Sequence, residues 1–126
     1  MTKINLFHID NIYVFKHYFE ESDIFEELRD YYNSFEYRFE VKEDEVEDAV
    51  EKLEKHGYNV NIVEKRDIPD YTVVIGKYEK HADLLKKSVD VIEVGDKKAL
   101  VLKDKVAKEE ALDRGEEPDE GWETRL

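Results

Sequence analysis

Cysteine is absent from this chain. That excludes a disulfide framework, a zinc ribbon and a thiol nucleophile, and it fits a cytoplasmic setting. Glycine occurs only five times and proline twice. There is no GxxxxGK[ST], no GxGxxG and no GxSxG; Gly76-Lys77 is followed by Tyr78. A phosphate-cradling loop and a serine-hydrolase elbow therefore have no carrier. No apolar run approaches the roughly 20 residues that span a bilayer, and the start, Met1-Thr-Lys-Ile-Asn-Leu-Phe-His8, is too short in apolar residues for a signal peptide.

What is abundant is negative charge. The 126 residues carry 33 Asp and Glu against 20 Lys and Arg, a formal net of −13. Such a surface repels a phosphate backbone unless a local basic patch overrides it, and no such patch is visible, so nucleic acid is not an expected partner. Three readings account for the acidity: adaptation to high salt, a partner surface that mimics nucleic acid or attracts a basic protein, and plain solubility. The basic residues, 15 Lys and 5 Arg, run against an extreme form of the first, because a strongly salt-adapted surface is expected to be poor in lysine.

Hydrophobic residues make up 40% and aromatics 12%, enough for a folded domain of this length. Ile12 to Phe19 is a dense β-branched and aromatic run, read as a strand. Ser22 is positioned to cap a helix whose face holds Ile24, Phe25, Leu28, Tyr31 and Tyr32. Tyr37, Phe39 and Val41 alternate as in a half-wet strand. Residues 44–56 carry Val46, Ala49, Val50 and Leu53 at helical spacing, closed by Gly57. Strands follow at Tyr58–Ile62 and Tyr71–Ile75, and a helix is expected along Tyr78, Ala82, Leu85 and Val89. Val89–Val94 and Ala99–Leu102 read as a hairpin, with Asp104 capping a last helix.

The order β-α-β-α-β-β-α-β-β-α predicts an α+β fold. Its sheet is mixed and largely antiparallel, with helices mainly on one face and a ferredoxin-like core as the nearest named architecture. Residues 1–115 are expected to form one domain. Residues 116–126, with five carboxylates, read as an acidic, flexible tail.

Candidate chemistry is sparse. Pro69-Asp70, then 25 residues, then Asp96-Lys97-Lys98 has the skeleton of a magnesium-dependent nuclease. Asp70 and Asp96 would hold the ion and Lys98 would sit near the attacking water. Gly95-Asp96-Lys97, however, also reads as a turn. His17 with Glu20 and Glu21 is the tightest metal-like cluster, although side chains near a strand end point to opposite faces. The ordinary reading of all four histidines is surface or half-buried imidazoles. Residues 43–54 hold seven carboxylates in twelve positions and read as the solvated face of an amphipathic helix.

Eleven of the fifteen aromatics lie between Phe7 and Phe39. Most are expected in a core. Any that are exposed, with Tyr31, Tyr32 and Phe35 foremost, would be contacts for a protein partner or for a second copy. Trp122, alone in the acidic tail, either folds back or binds a partner. No cofactor and no membrane partner is expected. The leading expectation is a non-enzymatic acidic interaction or regulatory module. A metal-dependent hydrolase or nuclease and an acidic nucleic-acid mimic are the alternatives.

The segments Val14-Phe-Lys-His-Tyr-Phe19, Tyr37-Arg-Phe-Glu-Val41, Lys77–Leu85 and Leu102-Lys-Asp104 resemble small uncharacterised acidic proteins of haloarchaeal type, over most of residues 12–115. The resemblance implies an archaeal source, a cytoplasmic location and an acidic surface. It carries over no functional residue.

Overall fold

A computed structural model describes residues 2–126. It shows an α+β fold whose strands pair mostly antiparallel and fall into two separate sheets. The chain divides into two compact units, residues 1–64 and 65–126, where the sequence suggests one domain over 1–115.

The N-terminal unit is built on a five-stranded sheet in the order β3-β4-β2-β1-β5. Its strands are β1 (Lys3–Ile9), β2 (Ile12–Phe15), β3 (Tyr32–Asn33), β4 (Arg38–Lys42) and β5 (Asn59–Val63). β1 and β5 run parallel; every other pair is antiparallel. β1 and β2 form a hairpin through Asp10-Asn11, both with positive φ (47° and 69°). This is the backbone of a two-residue type I′ turn, which Asp and Asn tolerate because their side chains bond locally. The strand expected over Ile12–Phe19 therefore stops at Phe15.

Helices α1 (Ser22–Leu28) and α2 (Val46–Lys55) cover one face of this sheet. Ser22 is the first helical residue rather than the cap, and the chain turns through a short 3₁₀ segment at Arg29–Tyr31. The core joins Ile4 and Leu6 of β1, Phe15 of β2, and Phe39 and Val41 of β4 with Ile24, Leu28, Ala49 and Leu53 of the helices. Phe39 is its aromatic centre. It stacks on Phe15 at 4.8 Å and meets Phe19, Phe25 and Tyr32 edge-on. Gly57 (φ +89°) ends α2 as expected. Its N–H bonds Glu54 O and the Tyr58 N–H bonds Leu53 O, the double closure of a Schellman motif.

The C-terminal unit has a three-stranded antiparallel sheet, order β6-β8-β7, from β6 (Thr72–Gly76), β7 (Ser88–Val94) and β8 (Lys97–Leu102). β7 and β8 join through Gly95-Asp96, with Gly95 at φ +61° as a two-residue turn of this kind needs. The helix expected from Tyr78 to Val89 is only α3 (Ala82–Leu85), and Tyr78 is exposed. Asp104 caps α4 (Lys105–Leu112) by accepting from Ala107 N at 2.7 Å. Val73, Ile75, Leu100 and Leu102 pack against Leu84, Ala107 and Ala111.

Strand β6, helix α3, strands β7 and β8 and helix α4, with β8 between β6 and β7, reproduce the first five elements of the split β-α-β arrangement of ferredoxin-like folds. The fourth strand is reduced to one residue. Glu116 bridges Val74 antiparallel, with N–H···O distances of 2.8 and 2.9 Å. The stretch read as an acidic tail thus begins as a sheet edge and goes on to a short helix, α5 (Glu120–Glu123), capped by Asp119.

Candidate functional site

The five ladder positions of β6 lie between Asp70 and Asp96. Thr72 faces Val101, Gly76 faces Lys97, and Lys77 N donates to Asp96 O at 2.7 Å. The two aspartates therefore sit at opposite ends of the strand, separated by roughly 16 Å of backbone, far more than one metal shell can bridge. Asp96 is a turn residue at the lip of an open cavity of about 500 Å³, beside Gly76, Arg114 and Glu116. Lys98 faces Glu93 across the ladder, and its Nζ lies 3.2 Å from His81 Nε2. Since the ammonium donates there, His81 accepts at Nε2 and donates from Nδ1 to Glu79 O at 2.5 Å. The Asp70, Asp96, Lys98 constellation is not assembled.

Nor is the His17, Glu20, Glu21 cluster. The His17 ring packs edge-on against Phe19 and Tyr58, while Glu20 and Glu21 are exposed. Among the described residues no three His, Cys, Asp or Glu groups converge to hold a metal ion.

The four aromatics singled out from the sequence separate. Tyr31 is partly buried, and its hydroxyl donates to Asp48 at 2.9 Å. Burial first, and then that hydrogen bond, push its pKa up to about 12. Tyr32 packs on Phe39 and is 36% exposed. Phe35 is 92% exposed. Trp122 belongs to the other unit, where it is half-buried and shares a cavity of about 290 Å³ with Val94, Asp96 and Lys97.

Two further aromatics stand in solvent in the N-terminal unit: Tyr18 at 84% and Tyr37 at 67%. The register places the segments that carry these side chains at one end of the sheet. The row Phe15–Phe39–Tyr32 closes one end of the sheet. β2 exits there into the segment holding Tyr18, and the β3–β4 connection, Ser34–Tyr37, turns there. Asn33 Oδ1 holds that connection by accepting from the N–H groups of Phe35 and Glu36 at 2.9 and 3.1 Å. Tyr37 occupies the left-handed region (φ 55°), which costs a non-glycine residue about 1–2 kcal/mol. The fixed turn carries Phe35 and Tyr37, and Tyr18 follows β2 out of the same sheet end.

The charge is divided unequally. Residues 1–64 hold 17 Asp and Glu against 7 Lys and Arg, a net of −10, and residues 65–126 hold 16 against 13, a net of −3. Within the N-terminal unit, α2, Tyr13 and Ile62 line an open groove of about 330 Å³. Val46, Val50, Tyr13 and Ile62 are its apolar surface, and Glu47, Glu51 and Glu54 form the helix-side rim.

Tyr13 stacks on His8, with ring centroids 4.3 Å apart and ring planes nearly parallel. The His8 Nδ1 faces Glu64 Oε2 and its Nε2 faces Glu43 Oε2, each at 2.9 Å. With a carboxylate at each nitrogen, both must donate, which is the imidazolium form. The Glu64 hydrogen bond, joined by Glu43, raises the His8 pKa against the opposing effect of burial. Burial and these same carboxylates raise that of Tyr13. From sequence His8 is an ordinary imidazole, because its partners lie 35 and 56 positions away. Asp10-Asn11 between two apolar runs was the available signal.

No protein-family model matches the chain, and no curated protein or solved structure matches it either. The likeness of short segments to acidic archaeal proteins gains no support from these comparisons. Among the described residues no helix is long and apolar enough to cross a membrane.

Proposed function

We propose that this chain is a non-enzymatic, cytoplasmic interaction module whose N-terminal unit binds a basic protein through the aromatic sheet end. The observation that carries this reading is the exposure of Tyr18, Phe35 and Tyr37 together at one end of the sheet. An exposed Phe forgoes about 1.5–3 kcal/mol of burial, and aromatic side chains are enriched where proteins meet. Tyr32 extends the patch. A net of −10 on the same unit disfavours a second copy at low salt and repels nucleic acid, but it draws in a cationic partner.

The test is a photo-crosslinking phenylalanine analogue at position 35, with position 106 as control, since Val106 is also exposed but lies in the other unit. The expected result is one dominant adduct from position 35, to a protein of high isoelectric point, and none from position 106. Equal labelling from both positions, or none from position 35, overturns the reading. A second reading, an acidic decoy of nucleic acid, draws on the concentration of carboxylates in the same unit. It requires the captured protein to be released by duplex DNA.

A further inference from the structure

We propose that the groove between α2 and the β5 edge is a second docking surface, which takes a basic amphipathic segment of the partner. This rests on the reading of the N-terminal unit as a protein-binding module. The floor is apolar: Val46 and Val50 from α2, Tyr13 from β2 and Ile62 from β5, the last 39% exposed on the helix-covered face of the sheet. Its position follows from register. Ile62 pairs with Leu6 and Tyr13 with Val41, so all four point to the face that α2 covers. α2 lies over Leu6 and Val41 and leaves Ile62 uncovered at the edge.

The rim is acidic on two sides. Glu47, Glu51 and Glu54 recur at helical spacing along α2, and Glu43 and Glu64 stand at the Tyr13 end. The cation at that end, His8, is already engaged by Glu43 and Glu64. Among the described residues no ion pair engages Glu47, Glu51 or Glu54, and each is exposed. An apolar strip flanked by carboxylates matches a segment that presents leucine-like side chains between lysines or arginines. The aliphatic stems of those residues would lie on Val50 and Ile62 while their charges reach the glutamates. A neutral apolar segment would fill the floor but leave the rim without partners, and an acidic one would be repelled.

The experiment uses the full chain and a fluorescein-labelled, 14-residue leucine–lysine amphipathic peptide, with a second peptide in which every leucine is serine. Anisotropy titrations at low salt should give binding to the leucine peptide about tenfold tighter than to the serine peptide, since apolar docking adds to charge. Glu51→Lys and Ile62→Asp, both at exposed positions, should each weaken the leucine peptide by about tenfold while the thermal midpoint stays near wild type. Glu120→Lys in the C-terminal unit should not. Methyl signals of Val46, Val50 and Ile62 should shift on titration. Equal binding of the two peptides, or equal loss in all three variants, overturns the groove and leaves only diffuse charge. A concentration-dependent dimer abolished by Ile62→Asp overturns it in favour of a second copy. Crosslinking from position 35 is independent of these outcomes, so either surface can fail alone.

Discussion

Gly115 sits where β6 leaves no space for a side chain. A Cβ there would lie 2.5 Å from Val74 O and 2.7 Å from both Ile75 Cγ2 and Val73 Cγ1. Two of these neighbours are core side chains and the third is backbone, so none can swing aside. Gly115→Ala must move residues 115–116 away from β6. Overpacking of this kind costs about 1–3 kcal/mol. Displacement also breaks the paired hydrogen bonds between Val74 and Glu116, each worth about 1 kcal/mol net. The expected loss is about 3–5 kcal/mol, a large share of the roughly 5–15 kcal/mol that holds a domain together. Gly57→Ala is the natural comparison. Gly57 has φ +89° but no heavy atom within 4 Å of its Cβ position, so that change meets only backbone strain, about 1–2 kcal/mol. Urea unfolding by circular dichroism gives both values, and hydrogen exchange reports the Val74 and Glu116 amides directly. If Gly115→Ala costs under about 1 kcal/mol with both amides still protected, the close approach is not what fixes this edge.

Three further outcomes follow from buried and paired charges. Lys108 is buried, donating to Glu117 at 2.8 Å and to Pro69 O at 3.3 Å. Lys108→Met keeps the apolar stem and should stay within about 1 kcal/mol of wild type, whereas Lys108→Ala should lose about 1–3 kcal/mol; equal costs would refute the packing role. The Arg114 guanidinium grips Asp83 with two bonds of 2.8 and 2.6 Å and holds its pKa near 2. Because the folded value lies below the ordinary 3.8, this contribution is present above that value and lost as pH falls through about 2; Arg114→Gln should raise the Asp83 pKa, read by carboxyl NMR. For His8 the sign is opposite: its folded pKa is raised, so its contribution is complete below the ordinary 6.5 and lost as pH rises through the folded value. Glu64→Gln should lower the His8 pKa in an NMR titration, and an unchanged value would refute the clamp.

The parts of the fold that were legible from sequence are those whose signals are local. α2 was plain because Val46, Ala49, Val50 and Leu53 mark one face and Gly57 follows at the cap. The β7–β8 hairpin and the Asp104 cap were readable for the same reason. β1 was missed because Lys3–Ile9 is apolar without clean alternation and its turn, Asp10-Asn11, lacks the glycine that usually marks a type I′ hairpin. The Tyr78–Val89 periodicity overstates the helix, since only Ala82–Leu85 is wound. The division into two sheets was not legible, because strand order depends on partners far apart in sequence. The groove was hidden for the same reason: Tyr13 and Ile62 share a face only once β5 pairs with β1.

The unequal charge bears on why the chain is acidic at all. Salt adaptation and solubility act on every exposed face, and both units share one chain and one solvent. Either pressure alone predicts similar net charge per unit length. The observed values are −10 and −3 for units of nearly equal length. The C-terminal unit is not poor in carboxylates, with 16 against 17; it differs in carrying 13 basic residues where the N-terminal unit has 7. Several of those cations are committed to ion pairs, Lys77 with Glu93, Lys87 with Glu110, Lys108 with Glu117 and Arg114 with Asp83. What sets the N-terminal unit apart is therefore a shortage of counter-charge, which leaves carboxylates such as Glu47, Glu51 and Glu54 facing solvent beside apolar surface. A cationic partner would supply the counter-charge that this half of the chain does not provide for itself.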